Sequence, residues 1–273
     1  MESNFNHHKI ALEMKSAQDA CGQIEPITSR LKDFTNADAY VVAQMVHDMR
    51  LEEGAVPIGR KLGFTNPEMW SIYGVREPIW AYVYNHTVKQ QAAPHFKCHI
   101  GQFAEPKIEP EIVLHFGSPP KPSDDLSEVL ASIDWIAHGI EIVQSHFPGW
   151  KFQAADTIAD LGLHATLIVG KPLLVTQLGT EVISDLENLT VTLSCDGEMR
   201  EQGKGSNALG SPLKAVAHLI DVIAKQPHAM PLQKGELVTT GTLTAALPIH
   251  PGQTWQTNLN GIALSGITVS FEE

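Results

Sequence analysis

The chain has 273 residues, of which 43% are hydrophobic and 18% charged, with a net charge of −12 at neutral pH. Such values describe a folded globular protein able to bury a large core, not a disordered one. The acidic balance, with no Lys/Arg cluster to offset it, argues against a nucleic-acid or anionic-membrane partner.

Cys21, Cys98 and Cys195 are far apart and odd in number. They suit a reducing compartment and give no disulfide framework or cysteine zinc site. The start, MESNFNHHKI, lacks the basic-then-apolar profile of a signal peptide, and no apolar run approaches the roughly 20 residues of a membrane span. A cytoplasmic location is expected.

In chain order, residues 9–54 read as helical: Ile10, Met14, Ala17 and Cys21 recur at helical spacing, and Asn36 reads as an N-cap before Val41, Val42, Met45, Val46 and Met49. Beyond Pro57 the chain turns to short segments punctuated by Gly and Pro. Strands are predicted over 80–85, 108–116, 139–145, 165–170, 188–197, 237–245 and 262–271. Two helices interrupt them. One runs over 124–139, with Leu126, Val129, Leu130, Ile133 and Ile136 on one stripe; the other follows Ser211 as N-cap and Pro212 at its first position. This is not the steady alternation of a doubly wound sheet. The fold class is α+β: an N-terminal helical portion over 1–56 and a β-rich body over 57–273, forming one integrated unit.

The segment KIEPEIVLHF carries Glu109 and Glu111 two apart, hence on one face of a strand and roughly 6.5–7 Å apart along it. Pro110 between them predicts an edge strand or a bulge. Two readings stay open for the pair: an exposed strand face, or a clamp for a hard cation such as Mg²⁺. Glu141, in GIEIV, becomes a third oxygen ligand if its strand neighbours the first. Asp156 and Asp160 would share a helical face and read as helix or turn caps. Lys61, in IGRKLGFT, is either snorkelling at the surface or aimed into a site. Thr239, Thr240, Gly241 and Thr242 could meet a polar ligand. The loop GKGSNALGSP could accept an anion ahead of a helix, but it matches no nucleotide-binding pattern.

Taken in order, these pieces resemble the hydratase/decarboxylase branch of the fumarylacetoacetate hydrolase superfamily, the 2-oxopent-4-enoate hydratases and 4-oxalocrotonate decarboxylases. The resemblance spans nearly the whole chain, through IEPITSRLKDFTNADAY, GRKLGFTNPEMWSIYGVREP, KIEPEIVL, IEIVQS, DTIAD, GKGSNALGSPLKAVAHLID and VTTGTLTAALPIHPG. It implies a mixed β-sheet body (a β-roll) with flanking helices, and Glu109, Glu111 and Glu141 as ligands of Mg²⁺ or Mn²⁺. Both glutamates of the pair should then be buried and converge with Glu141. It also implies that Lys61 binds or protonates a 2-oxo acid. Ser145, Gly241 and Thr242 are candidate substrate contacts, and Lys61, His86, His164 and Asp160 are candidates for catalysis.

Several positions depart from the family pattern. Gln144-Ser145-His146 stands where Asp-Ser-Arg is usual, and Leu161 follows Asp160 where Asn is expected. His164 falls near an expected Ser, and Asn85-His86 near an expected acid. His86, His146 or His164 could supply acid–base chemistry; equally, each could be inert. The expected activity is a metal-dependent lyase acting on a 2-oxo or 2-hydroxy-dienoate through a metal-bound enolate. Hydration is favoured, with 4-oxalocrotonate-type decarboxylation as the alternative, supported by KIEPEI and WKF. A C–C bond hydrolase would need a His–Glu pair, for which His47 is the candidate. A non-catalytic subunit is the remaining reading. The small-molecule partner is a 2-oxo acid, and self-association or association with a related hydratase or decarboxylase is expected.

Overall fold

The computed structural model describes residues 5–67, 70–73, 75–90, 95–226 and 229–273. The N-terminal portion contributes α1 (His7–Asp19), α2 (Ile27–Arg30) and α3 (Asn36–Glu52). The cap of α3 is Thr35, not Asn36: its hydroxyl accepts from the Asp38 amide while the Asp38 carboxylate accepts from Thr35 N, a reciprocal capping box. Cys21 lies beyond α1, at φ +50°.

The body follows with β1 (Pro57–Gly63), α4 (Trp70–Tyr73), β2 (Ile79–Tyr84), β3 (Val88–Gln90), β4 (His95–His99), β5 (Lys107–Phe116), α5 (Leu126–Ala131), β6 (Ile133–Val143), α6 (Ala154–Ala159), β7 (His164–Val169), β8 (Leu173–Leu174), α7 (Val182–Asn188), β9 (Thr190–Cys195), β10 (Glu198–Lys204), α8 (Pro212–Lys225), β11 (Leu237–Thr239), β12 (Leu247–Pro248), β13 (Thr254–Asn260) and β14 (Thr268–Glu272). Among the described residues, one mixed sheet has the order β2-β1-β11-β5-β6-β7-β3, with β12 against β5 and β8 against β6; a second has the order β10-β9-β13-β14-β4.

The helix expected over 124–139 ends at Ala131, and residues 133–143 are strand instead. The stripe at 126, 129, 130, 133 and 136 fits either period over its last turn. The ladder of ten residue pairs with β5, from Phe116↔Ile133 to Lys107↔Val143, decides for the strand. The strands expected over 237–245 and 262–271 shrink to 237–239 and 268–272, whereas β1, β3, β4, β8, β10, β12 and β13 are additional. Ser211 does cap α8, accepting from Leu213 N, with Pro212 at its first turn.

Pro110 does not sit on an edge. β5 is central, and the missing N–H falls in an interruption: β11 pairs residues 113–115, β12 pairs 107–108, and between them the Pro110 carbonyl accepts from Leu243 N.

One face of the large sheet sets Ile108, Ile140 and Ile142 against Leu193, Trp255, Val269 and Phe271 of the second sheet. At its other end Ile112, Leu114, Phe116 and Ile136 join the cluster that holds α8 and, continuously, Ile10, Met14, Val42 and Val46 of the N-terminal helices. No helix among the described residues is long and apolar enough to cross a membrane.

His47, on α3, is a fixed point of this packing. It is buried, its Nδ1 lies 2.9 Å from the Tyr84 hydroxyl, and its ring stacks on Tyr82 at 3.7 Å. It belongs to the helix–sheet junction and lines no part of the cleft described below. Burial, aided by the Arg60 charge and opposed by Asp48, lowers its pKa from 6.5 to about 4. The unfolded chain therefore takes the proton first, so stability is full above pH 6.5 and is lost as pH falls towards 4. Between pH 7 and pH 5 the loss from this residue is about 2 kcal/mol. In chemical denaturation, the stability gap between wild type and His47→Gln should narrow by that amount on going from pH 7 to pH 5.

Candidate metal centre

Strands β1, β11, β5 and β6 lie side by side in the large sheet. Their register opposes Lys61 to Thr239, Thr239 to Val113, and Glu109 to Glu141. Opposed residues share a face, as do residues two apart on a strand. Backbone pairing alone therefore commits Lys61, Thr239, Glu109, Glu111 and Glu141 to one face.

On that face, one oxygen from each of Glu109, Glu111 and Glu141 lies within 4.8 Å of the other two. Glu111 and Glu141 are 0% exposed. Glu109 is only half-buried, contrary to the expectation for both members of the pair, because it forms the cleft wall in front of the others.

The electrostatics follow from burial. Desolvation pushes Glu109 up to about 7, with Glu141 adding and Lys61 and Lys107 opposing. Desolvation likewise drives Glu111 well above the carboxylate range, reinforced by Glu141 and Glu109. Glu141 moves the other way: burial would raise it, but the Lys61 ammonium and the hydrogen bond from His164 outweigh that and hold it low. Lys61 is buried too, yet Glu141, Glu109 and Glu111 overcome desolvation and raise its pKa, keeping it charged. Its Nζ stands 2.9 Å from Glu141 Oε2 and donates to the Gly162 carbonyl at 2.9 Å.

Glu111 is anchored through Oε2, which accepts from the Thr239 hydroxyl and, at 2.9 Å, from the Gly241 amide. Its Oε1 is buried with no hydrogen-bond partner. Three clustered carboxylates on neighbouring strands, with Glu111 Oε1 and Glu141 Oε2 both buried without a hydrogen-bond partner, fit a hard divalent cation. Gly241 has φ +90°, and a Cβ there would stand 1.9 Å from Thr65 Oγ1, so this backbone approach requires glycine.

A cleft of about 690 Å³, its open mouth included, leads to this point. Lys61, Glu109, Thr65 and Thr242 line its polar end, and Thr65 Oγ1 is buried without a partner.

His164 reaches the cluster from β7: Nδ1 donates to Glu141 Oε1 at 2.7 Å, and Nε2 meets Thr87 Oγ1 at 2.8 Å. Three of the residues singled out for function lie elsewhere. His86 is exposed and stacks on Tyr84. Asp160 is turned to His146 Nδ1, 2.8 Å away, and accepts from Gln18 of α1. Ser145 donates to the Phe147 carbonyl at 2.8 Å, bracing the turn after β6. None of the three lines the cleft. Asp156 caps α6 through Gln153 N and also accepts from Thr28.

Sequence reasoning missed two contributors. Thr65 closes the segment GRKLGFT, whose lysine was singled out while its threonine was not. His138 donates from Nδ1 to the Glu111 carbonyl at 2.9 Å and meets Thr257 Oγ1 at 2.8 Å, tying the metal-facing strand to the second sheet. It lies within the stretch 124–139 read as helix, where no strand face could be assigned to it.

The chain was compared with known proteins. It is 26% identical over 275 residues to a 2-keto-4-pentenoate hydratase of Paraburkholderia phymatum, covering 100% of both chains. It is 27% identical over 254 residues to a 4-oxalocrotonate decarboxylase of Pseudomonas sp., covering 93% of this chain and 92% of the other. Among solved structures, the 4-oxalocrotonate decarboxylase of Pseudomonas putida G7, complexed with magnesium and adipate, superposes with a TM-score of 0.88 at 25% identity over 99% of each chain. The sequence pattern described as fumarylacetoacetate (FAA) hydrolase C-terminal matches residues 75–269. With that match over most of its length, the chain belongs to the fumarylacetoacetate hydrolase family.

Proposed function

We propose that this chain is a divalent-metal-dependent lyase that adds water to a small 2-oxo acid presented as its 2-hydroxy-dienoate. The observation that carries the reading is the convergence of Glu109, Glu111 and Glu141 beside a charged Lys61 at the polar end of the cleft. Mg²⁺ or Mn²⁺ held by the three glutamates would supply Lewis-acid polarisation of the substrate's 2-oxo and carboxylate oxygens.

The chain's own groups do the rest. The Lys61 ammonium, fixed by Glu141 and the Gly162 carbonyl, neutralises charge collecting on the 2-oxo oxygen and carries a proton it can give. The unpartnered Thr65 hydroxyl is placed to donate to the substrate carboxylate. In hydration, the enol proton leaves its oxygen, a proton is delivered to carbon, and water adds as hydroxyl and proton across the remaining double bond. Decarboxylation would draw on the same charge stabilisation as CO₂ leaves, and relatives of both names resemble this chain. Water addition is the leading reading on the hydratase relative that aligns over the entire chain, while the 4-oxalocrotonate decarboxylase structure superposes over 99% of it, so measurement of carbon dioxide release separates the two. A subunit without activity is disfavoured by the intact carboxylate set and the charged lysine.

Protons compete with a metal for Glu109 and Glu111. Below about pH 7 the Glu109 carboxyl is protonated, and above it the carboxylate is free. Calorimetric titration should therefore show Mg²⁺ affinity rising about tenfold or more from pH 6 to pH 8, with proton release, and Glu111→Gln should abolish binding. His164→Ala should weaken metal affinity by roughly 10–100-fold, as loss of a partner that orients a ligand does. Loss of dienol ultraviolet absorbance should require the metal and vanish in Glu109→Ala. Carbon dioxide release in that assay would assign decarboxylation instead.

A further inference from the structure

The carbonyl that fixes Lys61 belongs to a turn secured from outside the cleft. Leu161, Gly162 and Leu163 all have positive φ, a conformation that leucine keeps only where its surroundings hold it. Gly162 packs directly on the lysine. A Cβ there would stand 3.2 Å from Lys61 Cδ, and its carbonyl accepts from Nζ at 2.9 Å. A shift of the turn therefore moves the ammonium.

Asp160 ends α6 and begins this turn. Its amide donates to the Asp156 carbonyl and its own carbonyl accepts from Leu163 N, both at 3.0 Å. The Asp160 side chain is buried, lines no part of the cleft and is gripped twice. His146 Nδ1 lies 2.8 and 2.9 Å from its two oxygens, and Gln18 Nε2 of α1 donates to Oδ1 at 3.1 Å. Gln18 is held in turn by α3, its Oε1 accepting from Arg50 at 3.0 Å. Asp156, one helical turn earlier, accepts from Thr28 of α2. The N-terminal helices thus clamp both acids of the segment DTIAD. His146 Nε2 is buried without a partner, so Asp160 is the one polar partner its ring has among the described residues. We propose that Asp160, gripped by His146 and Gln18, is a positioning residue for Lys61. It fixes the Leu161–Leu163 turn and, through the Gly162 carbonyl, the place of the ammonium, so the N-terminal helices tune the lysine from outside the cleft. This rests on the reading of the cleft as a metal-assisted 2-oxo acid site.

Calorimetry on the full chain with saturating Mg²⁺ tests it, with oxalate as the probe, because its oxygens can chelate the metal as those of a 2-oxo acid would. Asp160→Ala should weaken oxalate binding by roughly tenfold, and Asp160→Asn, which keeps an acceptor for His146, should recover most of that loss. Gln18→Leu, at a half-buried helix position that leaves the core intact, should cost roughly threefold and decides the matter even if Asp160→Ala does not fold. In a Lys61→Met background the same substitutions should change affinity by less than about twofold, because their effect runs through the ammonium. An equal loss in both backgrounds, or no loss in either, overturns the proposal. The 2-oxo acid site still stands in that case, provided wild-type oxalate binding needs Mg²⁺ and is lost in Glu111→Gln. If oxalate does not bind the wild type in the presence of Mg²⁺, the site reading and the positioning role fall together.

Discussion

Burial of three carboxylates around one point is the constraint on which the rest depends. Glu111 and Glu141 are removed from water and Glu109 is half-buried, against a single lysine ammonium. Like charges this close cannot all stay ionised unless positive charge is added. The upward displacement of Glu109 and Glu111 and the downward one of Glu141 express how that conflict resolves: the lysine secures one carboxylate, and the other two are driven towards their protonated forms. Protons and a divalent cation are thus alternative solutions to one electrostatic problem, and the affinity of the site for either is set by the other.

Such a cluster persists only where the backbone cannot relax away from it. Here it is written into a ladder of four strands, and the local costs sit where the ladder is interrupted. Pro110 faces the interval between β11 and β12, where Leu243 N replaces a strand partner by donating to its carbonyl and Gly241 N donates to Glu111. The turn that presents the Gly162 carbonyl to Lys61 has positive φ at Leu161, Gly162 and Leu163, and Phe64 does likewise beside Thr65. Left-handed conformations at non-glycine residues cost roughly 1–3 kcal/mol each and persist when the surroundings over-determine them. Both leucines are buried in the main hydrophobic cluster, which supplies that determination.

Much of this was legible in the sequence. The Glu-x-Glu spacing, a third glutamate in an apolar run and a lysine between glycines marked the candidate members with surface readings still open, and the family resemblance joined them into one site. Ser211-Pro212 marked the start of α8. What the sequence withheld was register and context. The stretch 133–143 has an apolar spacing that helix and strand can share at its start, and only pairing with β5 resolves it; with the wrong element, His138 had no face. Pro110 read as an edge or bulge marker because local rules do not foresee a gap between two strands lying on the same side. Asp160, Ser145 and His86 carry functional residue types, but hydrogen bonds to His146 and Gln18, to Phe147, and stacking on Tyr84 consume them elsewhere.

The histidines that depart from the family pattern sharpen the proposed chemistry. His146 gives Nδ1 to Asp160 beneath the N-terminal helices, away from the cleft. His164 has both ring nitrogens engaged, one on Glu141 and one on Thr87. It could move a proton only by releasing the carboxylate it orients, which would loosen the site at the moment charge develops there. Its position therefore favours support of Glu141 over proton transfer. In the proposed reaction, the proton that reaches carbon must come from Lys61, or from water entering through the cleft. Those are the donors that can act without dismantling the carboxylate cluster.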